Sequence, residues 1–432
     1  MGTTILIMIL VLLIALLVGV PVGFTFALSG VVGGIMAGFP LGTISSSSYY
    51  ALASFPLLAI PLFILAGELM NQGKLIDRLV DVSELFLFWL PGRLGHVSIV
   101  SSAFLGAMTG SSVATVAAIS GSVGQKMVGK GYARGYVAAL TAASGLLGVL
   151  IPPSIPLIVY GAAVGVSVAE LFLATIVPGI VMTIMYMLLH AFCVPKVLDG
   201  STAEGKHELS TRKDDELKAN TWKHLVNSIP AVIMPIIILG GIYSGLTTPT
   251  EAAAIAGLYA LIIILVMKMV KFKEIPNIFW LSAKTAGSIM VIIGFTSVFN
   301  KIMTLMQLPQ FIANITVGLT DNKYLFLLFI NVLLFLVGMF METNAAVLLM
   351  SPLLFPAAMA MGIDPIHFGI ILVTNIEVGL ITPPMAANIY VSARINNSNL
   401  IEMWPHHWKF LAVALFVLLL ITYVPIVSLW WK

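Results

Sequence analysis

The sequence is poor in charged residues, and this scarcity excludes a water-soluble protein. Only 9% of the 432 residues are charged, whereas 59% are hydrophobic. A soluble domain usually carries about 25% charged residues because its surface must face water. A larger core does not remove this requirement, since even large proteins keep a surface that needs polar groups. We therefore expect lipid to cover most of this chain.

Several chemical functions lack the residues that they need. The single cysteine, Cys193, excludes an intrachain disulfide and a thiolate metal cluster. The histidines show no metal-ligand spacing, and the sequence has no phosphate-binding loop and no pair of intramembrane catalytic acids. The net charge is only +3, which gives no nucleic-acid footprint. We therefore expect no enzyme, and without an ATP-binding motif any transport must use an ion gradient or diffusion.

Hydrophobic runs recur along the chain at the length of a membrane span, which is about 20 residues. Unbroken runs lie near residues 3–20, 51–70, 172–194, 229–246, 251–270, 323–341 and 408–428. Runs broken by Gly, Pro or Ser lie near residues 21–38, 94–125, 135–170, 281–320 and 343–392. The first run lacks a basic leader, so we expect a retained helix there rather than a signal peptide. The pattern predicts an all-α polytopic membrane protein with about eleven or twelve crossing or re-entrant segments.

One polar segment divides the chain into two hydrophobic halves. Residues 196–224 hold twelve charged side chains, and we expect them to form a cytoplasmic linker. A shift of 231 residues superposes motifs of the first half on the second. The matched pairs are Pro152-Pro153 with Pro383-Pro384, Gly148 with Gly379, Gly131 with Gly362 and Ser120 with Ser351.

Charge indicates that the two halves have opposite orientations. The turn at residues 126–134 carries Lys126, Lys130 and Arg134, which is typical of a cytoplasmic turn. Its counterpart at residues 357–365 has no Lys or Arg. Equivalent turns on opposite sides of the membrane are the signature of inverted repeats in secondary transporters.

Residues 94–125 are too short for two membrane crossings. Cytoplasmic anchors, Arg93 and Lys126, bound these 32 residues, whereas two spans need about 40 residues and a turn. A re-entrant hairpin fits better, with Gly110, Ser111 and Ser112 at its tip. Hydroxyls there are suited to a cation or a solute, although small residues also serve simple helix packing.

Two proline pairs predict unwound helix segments. Each proline removes a backbone donor and frees a carbonyl one turn earlier. Around Pro152-Pro153 the freed carbonyls lie near Gly148 and Ile151, and around Pro383-Pro384 they lie near Gly379 and Thr382. Such carbonyls can coordinate sodium. A plain helix kink is the alternative.

An acidic residue inside the hydrophobic sequence is a functional candidate by default. Glu342 lies in the polar cluster 338–344 and falls near the first hairpin tip when the repeats are superposed. A place at the membrane surface is the alternative. Glu68, Glu251 and Glu377 raise the same question, and scaffold hydrogen bonding is at least as plausible for each.

Motifs distributed in order along the chain resemble a known family. They are Ala107–Ile119, Leu150–Ser154, Tyr243–Ala252 and Gly379–Asn388. These segments resemble the large membrane subunit of tripartite ATP-independent periplasmic (TRAP) transporters, and the likeness covers nearly the whole chain. The resemblance implies an inverted-repeat elevator-type transporter with two re-entrant helical hairpins. The implied domains are scaffold at 1–92 and 225–322, and transport domain at 93–195 and 323–432, joined by the linker 196–224.

The resemblance also implies candidate sites. The sodium-site motifs of the family match Gly110, Ser111 and Ser112 at the first hairpin, and Gly338, Gly379, Thr382 and Met385 at the second. Gly148 and Ile151 join the sodium set through the internal repeat. For the substrate we expect contacts from Ser112, Ser154 and Asn344. The family often has Asp after the Gly-Met-Phe-type run, where this chain has Met341 and Glu342.

The predicted function is sodium-coupled import of a small organic acid, a C4-dicarboxylate or a sialic-acid-like sugar acid, across the bacterial inner membrane. The resemblance implies two partners, a small four-helix membrane subunit and a periplasmic substrate-binding protein. No further four-span region occurs, so we expect the small subunit to be a separate chain. A sodium/proton antiporter that uses Glu342 or Glu377 is the nearest alternative. A channel and an intramembrane enzyme are less favoured, because neither a filter-like repeat nor a catalytic pair is present.

Overall fold

Helices make up the architecture of the chain. The computed structural model describes residues 2–198, 221–319 and 322–432, and no strand occurs among them. Most of the predicted linker, residues 199–220, lies outside the described residues. The helical backbone satisfies its own hydrogen bonds, which a chain in lipid requires.

The first half contains twelve helices among its described residues. They are α1 (Gly2–Leu17), α2 (Val22–Met36), α3 (Leu41–Leu52), α4 (Ala59–Gln72), α5 (Leu75–Phe86), α6 (Arg93–Thr109), α7 (Ser112–Ile119), α8 (Gln125–Gly129), α9 (Arg134–Ser144), α10 (Leu147–Leu150), α11 (Ile155–Val164) and α12 (Val168–Leu198). The second half contains α13 (Thr221–Tyr243), α14 (Pro249–Val266), α15 (Ile275–Leu305), α16 (Leu308–Leu319), α17 (Lys323–Phe340), α18 (Thr343–Ala360), α19 (Pro365–Leu380), α20 (Ala387–Ile395) and α21 (Leu400–Tyr423). A short π turn, Ser120–Gly124, joins α7 to α8.

Seven of the described helices are long and apolar enough to cross a bilayer. They are Phe55–Gln72, Val168–Val194, Pro249–Val266, Phe272–Leu305, Lys323–Phe340, Thr343–Ala360 and Leu400–Tyr423. An eighth span is possible by length if Arg134–Leu150 and Ile155–Val164, bent by 42° at the first proline pair, form one unit. The prediction of an all-α polytopic membrane protein is therefore confirmed.

One prediction about the helix boundaries was wrong. The sequence around residues 281–320 predicts a broken segment, but α15 runs without interruption from Ile275 to Leu305. Gly287 and Gly294 lie within this helix. A single glycine inside a helix costs only about 1 kcal/mol relative to alanine, so helix packing overrides it.

The helices pack in two groups. Those of residues 2–86 pack mainly against those of residues 221–319, with α4 on α14 and α2 on α15. Those of residues 93–198 pack mainly against those of residues 323–423, with α9 on α21 and α17 on α19 within this second group. The naming of the first group as scaffold and the second as transport domain stays a prediction.

Helix boundaries in the second group repeat at the shift found in the sequence. Starts and ends that are 231 residues apart are Ser112 and Thr343, Gly129 and Ala360, and Arg134 and Pro365. Between the last two boundaries lie Gly131 and Gly362, with φ of +86° and +68°. This left-handed conformation ends both helices in the same way, and only glycine adopts it without strain. The same backbone path is thus built twice.

Candidate functional site

The first hairpin reverses direction at Gly110 and Ser111. Gly110 has φ of +62° and ends α6. Ser111 then caps α7, since its hydroxyl accepts a hydrogen bond from the amide of Ala114 at 3.4 Å. Helices α7 and α8 pack back against α6. The predicted tip, residues 110–112, is therefore a break between two helices, although its depth in a membrane stays a prediction.

The second hairpin has the same cap in a charged form. The carboxylate of Glu342 caps α18 by accepting a hydrogen bond from the amide of Ala345 at 3.0 Å. It also accepts one from Asn344 Nδ2 at 2.7 Å. Glu342 follows Ser111 by 231 residues, and Ala345 follows Ala114 by the same number. Glu342 therefore lies at the tip of the second hairpin, and a negative charge at a helix N-terminus is favourable.

The first proline pair interrupts the helical path and contacts the first tip. Helix α10 ends at Leu150 and α11 begins at Ile155, and the peptide bond between Pro152 and Pro153 is cis. The amide of Ile155 donates to the carbonyl oxygen of Gly110 at 3.2 Å. The first hairpin tip and the first break (residues 151–154) are thus joined by backbone.

The second proline pair makes the corresponding contact with the second hairpin. The amide of Met385 donates to the carbonyl oxygen of Met339 at 3.1 Å. Here an additional side chain holds the unwound segment, because Nε2 of His407 lies 2.7 Å from the carbonyl oxygen of Ile381. The hydroxyl of Thr382 donates to the carbonyl of Val378 at 3.0 Å. The second break (residues 381–386) is therefore the more heavily bonded of the two.

Glycine allows the breaks and the hairpins to touch. A Cβ atom added to Gly148 would lie 2.8 Å from the carbonyl oxygen of Ser111. A Cβ atom added to Gly379 would lie 2.6 Å from the backbone of Gly338. Atoms this close cannot coexist without movement of the backbone. Both glycines are thus required by the approach of two chain segments.

A cavity of about 550 Å³ lies between the two hairpin tips and one helix from each half of the first packing group. We call it the acidic cavity, because its charged lining residues are Glu68, Glu342 and Glu377. No basic side chain lines it in the part of the chain that the structure describes. The remaining polar lining residues are Asn71, Thr109, Ser111, Ser112, Thr285, Thr343 and Asn344.

Two buried acceptor atoms in the acidic cavity have no donor. Glu377 is 1% exposed; its Oε1 accepts a hydrogen bond from the hydroxyl of Thr343 at 2.9 Å. Its other oxygen, Oε2, and Oδ1 of Asn344 have no hydrogen-bond partner among the described residues. A buried carboxylate oxygen without a donor is costly. A hard cation such as sodium is a chemically suitable partner for such oxygen atoms.

The structure brings most of the predicted site residues together. Those that line the acidic cavity are Gly110, Ser111, Ser112, Asn344 and Met385. Those that pack directly behind its lining are Gly148, Gly338 and Gly379. The side chains of Ile151, Ser154 and Thr382 do not line it. The roles of all eleven residues in binding stay predictions.

Other residues of the cavity carried little or no sequence signal. Glu377 was a candidate without a role, and its position two residues before Gly379 is the signal that could have placed it at the second break. Asn71 and Thr285 come from the first packing group, and no motif marks them. Glu251 has a structural role instead, because its exposed carboxylate forms a capping box with Thr248 at the start of α14.

Comparison with known proteins gives a consistent result. Residues 7–427 match the family described as tripartite ATP-independent periplasmic transporter, DctM component. The chain is 37% identical over 376 residues to the C4-dicarboxylate TRAP transporter large permease protein DctM of Pseudomonas aeruginosa, covering 87% of this chain and 86% of that protein. It is 35% identical over 345 residues to the sialic acid TRAP transporter large permease protein SiaM of Vibrio cholerae, covering 80% and 78%.

Two further similarities concern a longer relative and a solved structure. The chain is 37% identical over 392 residues to the isethionate TRAP transporter permease protein DctMQ of Oleidesulfovibrio alaskensis, and the match spans 90% of this chain but 60% of that protein. The crystal structure of the Alcanivorax borkumensis YdaH transporter aligns with a TM-score of 0.61 at 15% identity. It covers 89% of this chain and 88% of that one, and at this identity the likeness concerns the fold alone.

Proposed function

We propose a function for this chain from the premise that it belongs to the DctM component family of tripartite ATP-independent periplasmic transporters. The chain is a multi-pass permease of the inner membrane. It imports a small organic acid together with sodium ions. The observation that carries the proposal is the acidic cavity between the two hairpin tips, with the unpartnered oxygens of Glu377 and Asn344.

The substrate class follows from the relatives and the cavity size. The names of the relatives refer to C4-dicarboxylate, sialic acid and isethionate, all of which are small organic anions. A volume of about 550 Å³ falls in the usual range of small-molecule sites, about 300–1,000 Å³. A small membrane subunit and a periplasmic substrate-binding protein complete the system, and the binding protein delivers the acid.

The charge of the cavity sets the order of binding. An anion that enters the cavity meets the carboxylates of Glu342 and Glu377 and is repelled, and no basic side chain among the described lining residues offsets them. Sodium ions bound at the hairpin tips and the two breaks neutralise this charge. The acid then binds to Ser112, Asn344 and the amides at the N-termini of α7 and α18, which attract anions. Sodium therefore binds before the acid, which couples the two.

Movement of the site completes transport. Residues 93–195 and 323–432 carry the acidic cavity past residues 1–92 and 225–322 in an elevator motion. Residues from both groups line the cavity: Gly67, Glu68 and Thr285 come from the first group, and the hairpin tips come from the second. This interface is where sliding would open the site to one side of the membrane and then to the other.

Reconstituted proteoliposomes test the proposal. They contain the permease and its small membrane subunit, and they receive the binding protein loaded with radiolabelled acid. An inward sodium gradient should raise uptake at least tenfold over an equal potassium gradient, which corresponds to about 1.4 kcal/mol of coupling. Equal uptake with sodium and potassium would contradict the proposal.

A sodium/proton antiporter is the second candidate, and one observation favours it. Glu342 and Glu377 are both buried and line the same cavity, as a proton-carrying pair would. Glu377→Gln separates the two functions. In an antiporter this variant loses sodium-dependent proton flux measured with an internal pH dye. In the proposed symporter no such proton flux exists, and the variant instead requires more sodium for uptake.

A further inference from the structure

A second cavity of about 650 Å³ lies elsewhere between the two packing groups. One wall consists of residues in α3 and the turn after it, and of α15. The opposite wall consists of residues in α11 and α18. Its polar lining residues are Ser46, Ser47, Tyr50, Ser54, Ser297, Asn300, Lys301 and Thr304.

Both cavities lie along one helix. Thr285 and Ile289 of α15 line the acidic cavity, and Ile293, Ser297 and Lys301 line the second cavity. These residues recur every four positions, which places them on adjoining parts of one helix face. At a rise of 1.5 Å per residue, Thr285 and Lys301 are about 24 Å apart along the helix axis. The two cavities are therefore successive stations beside the same helix.

The two cavities carry opposite charge. The acidic cavity is lined by three carboxylates, whereas Lys301 is the only charged residue among the described lining residues of the second cavity. Lys301 is exposed and has no ion pair or hydrogen bond within the described part of the chain. An ammonium group that faces a cavity without a carboxylate is available for an anionic ligand.

Two neutral donors are also uncommitted. The hydroxyls of Tyr50 and Ser54 make no hydrogen bond within the described residues. Other polar groups are occupied: Ser297 donates to the carbonyl of Gly294 at 2.7 Å, and Asn300 Nδ2 donates to the carbonyl of Leu348 at 2.7 Å. One cation and two hydroxyl donors match a carboxylate and its neighbouring polar groups.

We propose that the second cavity is an anion-binding vestibule, in which Lys301, Tyr50 and Ser54 hold the carboxylate of the transported acid outside the acidic cavity. The inference rests on the proposed function for the identity of the ligand as an organic acid. The vestibule raises the local concentration of the anion at one end of its path. The acidic cavity, which repels that anion until sodium binds, then receives it.

Charge-selective cysteine labelling tests the vestibule without requiring transport. Ala51 lines the second cavity and Ala117 lines the acidic cavity, and the native Cys193 is buried. In Ala51→Cys an anionic methanethiosulfonate reagent should react faster than a cationic one. In Ala117→Cys the preference should be reversed. Adding Lys301→Met should reduce the anionic preference at Ala51→Cys about fivefold, because removal of a nearby charge changes the local potential.

The matched control is Lys284→Met. Lys284 is an exposed lysine of the same helix that lines neither cavity, so its loss should leave the labelling ratio unchanged. Succinate and N-acetylneuraminate serve as probes for the bound acid. At least one of them should slow labelling of Ala51→Cys when Lys301 is present and not when it is replaced. Lys301→Arg should retain protection.

Each result decides the inference separately from the proposed function. An unchanged labelling ratio in Lys301→Met overturns the vestibule, and so does a changed ratio without protection by either acid. Uptake measurements form the second arm. With saturating sodium, Lys301→Met should raise the KM for the acid about fivefold, whereas Lys284→Met should not. If uptake proves independent of sodium, the proposed coupling fails while the labelling result still stands or falls by itself.

Discussion

At the first hairpin tip the capping group is the hydroxyl of Ser111, whereas the equivalent group of the second hairpin is the carboxylate of Glu342. The helix starts on either side of the shift agree to the residue. The backbone is therefore the same and the charge is not. The repeated fold supplies two similar sites, and the side chains decide what each site binds.

The two breaks differ in the same manner. Each is tied to its own hairpin by a backbone hydrogen bond, from Ile155 in the first and from Met385 in the second. Only the second is also held by a side chain, His407 on the carbonyl of Ile381. The residue 231 positions before His407 is Ile176, which cannot form a hydrogen bond with its side chain. The second half thus contains both the added charge and the added restraint.

Close packing of glycines should give the largest effect. Gly379→Ala forces a Cβ against the backbone of Gly338, while Gly148→Ala meets the Ser111 carbonyl and the more yielding side-chain oxygen of Thr115. We expect both to lower the free energy of unfolding by roughly 1–3 kcal/mol, with Gly379→Ala the more severe. Thermal unfolding of the purified permease measures this. Gly287→Ala is the control, because its Cβ would meet nothing within 4 Å. Equal midpoints for all three variants would show that the close approaches are not rigid.

Exchange of the two caps should have the next largest effect. Glu342→Ser retains a capping oxygen but removes the charge, and Ser111→Asp adds a charge to the first tip while retaining its cap. If sodium is held by the charged second tip, Glu342→Ser should raise the sodium concentration for half-maximal uptake about tenfold, or about 1.4 kcal/mol. Ser111→Ala, which removes only a neutral cap, should raise it less. An effect of Ser111→Ala as large as that of Glu342→Ser would contradict the assigned difference between the tips.

Removal of the side-chain restraint at the second break should have a moderate effect. His407→Phe loses the hydrogen bond to Ile381, which is worth about 0.5–1.5 kcal/mol. The sodium concentration for half-maximal uptake should therefore rise about two- to tenfold, and His407→Gln should restore part of the loss. His406→Gln on the same helix is the control, since no hydrogen bond links His406 to the described break residues. A loss of protein stability with unchanged sodium activation would mean that His407 serves packing only.

The turn before α19 should give the smallest effect. Asp364 caps this helix through the amides of Ile366 and His367 and lies 2.7 Å from Lys432 Nζ. Its counterpart in the first half, Ala133, has no side-chain cap. Asp364→Asn should retain the cap and lower stability by less than about 1 kcal/mol, because the ion pair is partly exposed. Asp364→Ala should cost about 1 kcal/mol through the lost cap.

The pH dependence of this turn follows from the same contacts. Partial burial raises the pKa of Asp364, but hydrogen bonds from Lys432 and the two amides outweigh burial and hold that pKa below its usual range. A depressed pKa contributes stability above the ordinary value of about 4, and that stability is lost as pH falls through the folded value. Unfolding midpoints of wild type and Asp364→Asn should therefore converge below about pH 4. A difference that stays constant down to that pH would exclude the carboxylate as its source.

The sequence predicted local breaks better than unbroken helices. Gly110, the two proline pairs and the turn glycines Gly131 and Gly362 each impose a backbone conformation by their own chemistry, and the structure has a break or a turn at each. The interruption predicted near residues 281–320 was wrong, because single glycines leave the outcome to packing. Glu377 could be identified as an intramembrane acid but not assigned a position. Its neighbours Thr343 and Ser112 come from distant parts of the chain.

The sequence by itself determined that this chain lives in a membrane, that it consists of helices and that its two halves share one plan. These properties depend on composition, run length and residues that act within one turn of their own position. Only the tertiary structure decided that both hairpin tips, both breaks and the helices α4 and α15 surround one acidic cavity, and that Lys301 lines a different one. Such groupings depend on side chains hundreds of residues apart, and helix packing rather than local preference brings those side chains together.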